Sequence, residues 1–164
     1  IKAAPLVHLV GRDMYYEGRG HMKIKLLSLI TVADARGEEI DQGSLLRYMA
    51  EMVWFPTAAL NSYMSWEEVS SNSAKATLSY QGVIASGLFR FNDLGEPVEF
   101  EAERYMESNG QYSLETWLVK LSDYQAFNHI LVPTKGEVIW KLDTGDFPWY
   151  RFEVTTMDYN RNKV

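Results

Sequence analysis

A period of two runs through most of this chain, and one segment breaks it. Ala76, Leu78 and Tyr80 alternate with Lys75, Thr77 and Ser79, and Val98, Phe100 and Ala102 alternate with Glu99, Glu101 and Glu103. That spacing marks strands with one face in water. From Arg47 to Leu60, RYMAEMVWFPTAAL, it gives way to helical spacing. Leu45, Leu46, Met49, Met52 and Val53 fall at i, i+1, i+4, i+7 and i+8, a single apolar stripe. Asp41 or Ser44 is placed to cap the start of this helix. Pro56 is placed to stop it and to open a second short turn through Leu60.

The strands and their turns then limit the architecture. Leu6 to Tyr16 and Met22 to Val32 read as two strands joined through Gly18 to Gly20, and DARG (Asp34 to Gly37) turns toward the helix. NDLG (Asn92 to Gly95) suits a type I turn with a glycine bulge, and SNGQ (Ser108 to Gln111) carries the Asn-Gly hairpin signal. Gly82, Lys135-Gly136 and Thr144 to Asp146 mark further reversals. Short connections predict an antiparallel meander of about nine strands. At roughly 4.8 Å per strand, nine make a sheet some 40 Å wide. One helix, about 10–12 Å across, cannot cover it. The sheet must close, split or curl. The expected fold is mainly β (α+β): a strongly curved antiparallel sheet, a half-barrel or open barrel, wrapped around one helical segment at about residues 42–60. Two strands offer apolar residues on both faces and are expected where both are covered. They are VIASGLFRF, with Val83, Ala85, Phe89 and Phe91 against Ile84 and Leu88, and Trp117 to Leu121.

Composition narrows the function classes. The 164 residues suit one domain, 1–164, and the opening at Ile1 without a Met suggests a C-terminal fragment or processed form of a longer chain. A net charge of -6 and a pI near 5.1 argue against a generic nucleic-acid surface. With no cysteine there is no disulfide and no thiolate site. No apolar run approaches the roughly 20 residues that span a bilayer, so membrane association is expected only through sequence upstream of Ile1. An extracytoplasmic or membrane-associated location fits that expectation.

Few residues carry an obvious chemistry. His8, His21 and His129 are scattered without ligand spacing, so no metal and no cofactor are expected. No nucleophile elbow, phosphate loop or acid–base pair stands out. Gly11 to Asp13 and Asp143 to Asp146 read as ordinary turns, and the three Glu of EFEAE as a solvated strand face. Arg47 and Glu51 share a helix face, but Arg before Glu is the poorer order for helix stabilisation. They can instead face partners on the sheet or the mouth of a groove. Met49 and Met52 are unbranched and suit either a core or an adaptable cleft. Trp54-Phe55 sits at the helix break, able to line a cleft, meet a membrane surface or pack on the sheet. The candidate ligand-binding set is Arg47, Tyr48, Met49, Glu51, Met52, Trp54 and Phe55 from the helix, with Trp66, Phe89, Trp117 and Trp140 from the strands. No residue is singled out as catalytic.

The pieces GRDMYYEGRGHMKIK, DQGSLLRYMAEMVWFPTAAL, Trp66, GEVIW, GDFPWYRFEV and DYN together resemble a prokaryotic family of unknown function. Arg47, Glu51, Trp54 and Pro56 are the most specific part of the resemblance. It implies additional N-terminal sequence and no particular activity. A looser likeness of architecture is to the lipoprotein-carrier half-barrels, whose curved sheet holds acyl chains around helices. That likeness implies an acyl-type ligand held between sheet and helix. The expected function is a non-enzymatic binding domain for a lipid or other apolar small molecule, with Arg47 at its polar head and Met49, Met52, Trp54 and sheet aromatics lining the cavity. Two other functions remain open. One is an enzyme using Glu51 as acid or base and Arg47 as anion site. The other is a structural or interaction module without a small-molecule ligand.

Overall fold

The computed structural model describes residues 2–4 and 7–160. Its elements are β1 (Lys2–Ala4), β2 (Val7–Tyr16), β3 (Arg19–Leu26), β4 (Ile30–Ala35), α1 (Glu38–Glu51), β5 (Met64–Ser70), β6 (Ser73–Tyr80), β7 (Val83–Phe91), β8 (Pro97–Ser108), β9 (Gln111–Phe127), β10 (Ile130–Leu142) and β11 (Gly145–Glu153). Between α1 and β5 lie two 3₁₀ turns, Met52–Trp54 and Pro56–Leu60. Pro56 opens the second turn at its first position, where a missing N–H costs nothing.

The protein is mainly β, antiparallel, with one α-helix among the described residues. Among the described residues the strands number eleven rather than nine, and they divide between two sheets. One has the order β1-β2-β3-β4 and the other β11-β10-β9-β8-β7-β6-β5, each a meander that stays open. The helix spans Glu38–Glu51 instead of starting near residue 42. Its N-cap is Gly37, without a side-chain cap, and Asp41 lies inside the first turn. Met22 to Val32 is two strands joined by a turn at Leu27 to Leu29, a reversal with no glycine, proline or asparagine to announce it. Lys135-Gly136 does not turn at all. Gly136 lies within β10 under the Phe152 ring of its cross-strand partner, which fills the place of a side chain there.

α1 links the two sheets in sequence and packs between them, against β2 and β3 on one side and β6, β7 and β8 on the other. Leu46 and Met49 are fully buried with Leu78, Phe89 and Phe100 of the larger sheet. Phe100 to Ala would cost about 3–5 kcal/mol by lost burial and a cavity. The other flank of the helix is built for close backbone approach. A Cβ at Gly20 would stand 2.7 Å from the Ile40 carbonyl, so only glycine fits. The Gly20 N–H donates to Asp41 Oδ1 at 2.5 Å, and Arg19 Nη1 donates to Oδ2 at 3.1 Å. Asp41, 2% exposed, therefore ties the first hairpin to α1.

The two strands expected to be covered on both faces differ. In β9, Trp117, Leu118, Val119 and Leu121 are all buried, and Leu118 pairs across the sheet with buried Ile139. In β7, Ile84 is 63% exposed, so that outer face is open to water.

Candidate functional site

The larger sheet is wider than the helix that packs on it. The main contacts of α1 there reach β6 to β8, and the aromatic side chains beyond stay partly uncovered. On β11 these are Phe147, Trp149 and Tyr150, each about half exposed. A register shift between Val138 and Ile139 leaves Trp149 as the extra residue, a bulge that re-aims it. Beside α1, Phe147 and Trp149 border a cleft of about 470 Å³. Met22 of β3, Ile40 of α1, Met106 of β8 and Trp140 of β10 supply apolar walls, with Phe147 and Trp149. Asp13, Glu39, Glu107 and Arg104 are the charged groups lining it.

Arg104 is the unusual member. Strand alternation puts it on the same face of β8 as Phe100 and Ala102, both core residues. Its guanidinium carbon stands 4.7 Å from the Trp117 ring centroid and 5.9 Å from that of Trp140. A Cβ at Gly43 of α1 would be 3.2 Å from its Nε. Nε is buried without a hydrogen-bond partner, and among the described residues no ion pair within 4 Å reaches this side chain. Burial, then the nearby charge of Arg47, lowers its pKa to about 10, against the pull of Asp13 and Glu51. The group stays charged at neutral pH, held chiefly by two aromatic faces.

Arg47 has ordinary partners. It donates to Asp13 Oδ2, and its Nε lies 3.3 Å from Glu51 Oε1. Burial raises the pKa of the Glu51 carboxyl, and Arg47 opposes the shift. Neither Arg47 nor Glu51 lines the cleft.

A second cavity of about 270 Å³ lies along α1, with Tyr15, Tyr48, Tyr63 and Tyr80 around Leu45 and Leu78. The Tyr48 and Tyr63 hydroxyls hydrogen-bond at 2.9 Å. Burial and that bond push the Tyr48 pKa up to about 12. A larger, more open depression of about 860 Å³ between β7 and β11 is rimmed by charges that neutralise one another, Arg90 with Glu99 and Arg151 with Glu137.

The model of a family of unknown function, DUF6920, matches residues 1–159. The chain belongs to that family. No curated protein and no solved structure matches it.

In this DUF6920 chain the sequence-predicted residues separate into groups. Met49, Met52, Phe89 and Trp117 are buried in the core, away from open space. Trp140 is also buried and borders the cleft, and Tyr48 borders the tyrosine cavity. Arg47 and Glu51 form the ion cluster with Asp13. Trp54 packs edge-on against Phe152 and donates to the Pro133 carbonyl at 3.0 Å. Trp66 donates to the Ala59 carbonyl at 3.0 Å and leans on Phe89, while Phe55 is exposed.

Sequence reasoning missed Arg104, Asp13, Phe147 and Trp149. Asp13 lies within β2 and not in a turn, facing α1. Arg104 was legible: the run Val98, Phe100, Ala102 continues in step to Arg104, which sets a cation on an apolar face. Trp149 carried no such signal, because a bulge breaks its step.

Proposed function

We propose that the chain is a non-enzymatic binding domain for an amphiphile, with an apolar body against Met22, Met106, Trp140 and Trp149 and a hydrogen-bond-accepting head at Arg104. The observation that carries this reading is Arg104 itself: a charged guanidinium, desolvated, its Nε without a hydrogen-bond partner and no described carboxylate in an ion pair with it within 4 Å, lining an aromatic cleft of ligand size. A buried cation kept without a partner costs stability, and an accepting ligand removes that cost. Glu39 and Glu107 line the same cleft and disfavour a strongly anionic head. A zwitterionic phosphodiester head suits both: its phosphate meets Arg104, and its ammonium meets the carboxylates and aromatic rings. In this reading the seven-stranded sheet acts as the open trough of a carrier-like half-barrel, with α1 along one side and the ligand along the other. The polar anchor becomes Arg104 in place of Arg47, whose charge Asp13 and Glu51 already satisfy. The enzyme reading finds less support, since Glu51 is held by Arg47 and lies outside the cleft.

Native mass spectrometry of the purified protein, followed by solvent extraction, tests the proposal. A co-purifying amphiphile that is retained by Arg47→Gln and lost from Arg104→Met supports it. An extracted ligand that Arg104→Met holds as tightly as the original chain contradicts the assigned anchor.

A further inference from the structure

The smaller sheet has a second surface, turned away from α1 and from the cleft. Gly20 and Met22 of β3 face the helix and the cleft, so alternation sends His21, Lys23 and Lys25 the other way. Their register partners on β2, Met14, Arg12 and Val10, share that face. Asp34 of β4 is an acid among them, 2.8 Å from Lys23 and 2.8 Å from His21. No ion pair within 4 Å joins Arg12 or Lys25 to a described carboxylate. Charge is segregated along the whole chain: residues 1–36 hold six Lys or Arg against three Asp or Glu, whereas residues 37–164 hold ten against nineteen. A cationic face on an acidic protein is thus concentrated in this sheet.

The same sheet ends in an apolar tip. The turn between β3 and β4 is closed by the Leu29 N–H to the Leu26 carbonyl at 3.1 Å. Leu29 is 83% exposed and Ile30 60%, and Leu27, Val32 and Val10 are exposed beside them. Leu27 and Ser28 both adopt left-handed backbone, with φ of 53° and 62°. Asn-Gly would make such a turn without strain. A leucine there holds an apolar side chain outside the core at a conformational cost, which points to use of the side chain itself.

We propose that this face docks on an anionic phospholipid surface, with Leu27, Leu29 and Ile30 entering the interfacial layer and Arg12, Lys23 and Lys25 meeting the headgroup phosphates. The pairing of an apolar tip with flanking cations matches a bilayer interface, which is apolar below and anionic above. A nucleic acid would use the cations but not the leucines. A hairpin tip of three apolar side chains is small for a stable interface with another protein. Among the described residues no helix is long and apolar enough to cross a membrane.

Co-sedimentation of the full chain with phosphatidylcholine vesicles, with and without phosphatidylglycerol, tests the assignment. The expected result is binding to the anionic vesicles only, released by high salt. Lys25→Gln should weaken it about fivefold, the effect of one cation near such a surface. Leu29→Ser should weaken it about tenfold or more by removing an inserted side chain. Both positions are on the outer sheet and its turn, so the fold tolerates the changes. Arg104→Met, in the cleft, should bind vesicles as the unaltered chain does, which separates this proposal from the ligand reading. Absence of binding to anionic vesicles, or equal binding by Leu29→Ser, overturns it. Self-association in solution that Leu29→Ser abolishes would assign the tip to a second copy of the chain and overturn it equally.

Discussion

Gly43, in the middle of α1, packs against the guanidinium of Arg104: a methyl group at position 43 would stand 3.2 Å from Nε. A glycine inside a helix costs about 1 kcal/mol relative to alanine. The arginine in turn gives up hydration, and its pKa falls to about 10. Arg47, Arg90 and Arg151 each meet a carboxylate, whereas Arg104 meets two tryptophan rings and the helix backbone. These are two concessions at one point of the structure, and the proposed ligand site gives both a use.

If Gly43 is there to admit that guanidinium, its replacement depends on what stands at 104. Gly43→Ala alone should change stability little, the gain in helix propensity being offset by the displaced arginine. In an Arg104→Ala background the same change should stabilise by about 1 kcal/mol. Urea denaturation of the four proteins measures the coupling. An equal gain in both backgrounds would mean that Gly43 and Arg104 are independent.

Arg104→Met should unfold at the same temperature as the original chain or higher. The folded pKa of this base lies below its ordinary value, so the unfolded chain holds the proton more tightly. The charge is then a cost at neutral pH, and stability rises as pH climbs from about 10 toward the usual arginine range. The cation–π contacts with Trp117 and Trp140 offset part of that cost. Thermal denaturation decides: a loss of more than about 2 kcal/mol in Arg104→Met would make the residue a structural one.

Asp41 should behave in the opposite way. It is buried and accepts from the Gly20 N–H and from Arg19, so Asp41→Ala leaves a buried donor without a partner. The expected cost is about 3 kcal/mol, and Asp41→Asn, which keeps one acceptor, should cost less. Hydrogen exchange should show β2 to β4 loosening before β6 to β9. Uniform loss of protection across both sheets would argue against Asp41 as a local tie.

Alkaline pH should reveal the tyrosine cavity. Burial holds Tyr15 and Tyr48 of this cavity, and Tyr124 outside it, protonated above the ordinary tyrosine value, Tyr48 up to about 12. Because these folded-state values are raised, their contribution is complete below pH 10 and is lost as pH rises from 10 toward 12. Tyrosinate absorbance should therefore lag behind that of the unfolded chain across this window. Tyr48→Phe should remove its share of the lag, and a titration matching the unfolded chain would show the rings to be hydrated.

What the sequence disclosed follows from which forces are local. The alternation of β6 and β8, the short turn opened by Pro56 and the left-handed pair at Asn109-Gly110 are local, and each is found where the residues predict it, although α1 itself ends earlier, at Glu51. The Leu27 to Leu29 turn is hidden because its residues are strand-forming and its left-handed backbone is imposed on a leucine. Gly136 misleads in the other direction: it is a glycine because Phe152, sixteen residues on, lies over it, a contact that local spacing cannot announce. The second sheet was out of reach for a related reason. A single apolar stripe was visible on the helix, but its other flank is Asp41, Gly43 and Ser44, small or polar residues buried by backbone contact and hydrogen bonding. The cleft itself depends on Trp149, re-aimed by a bulge, and only Arg104 could have been found by counting along its strand.

The most direct test is isothermal titration of the chain with a lysophosphatidylcholine below its micellar concentration, alongside Arg104→Met. The account predicts saturable binding at one site, weakened about tenfold or more in a variant that is no less stable, as for a lost charge-assisted hydrogen bond. No saturable heat with the unaltered chain, or equal affinity in the two proteins, would contradict it.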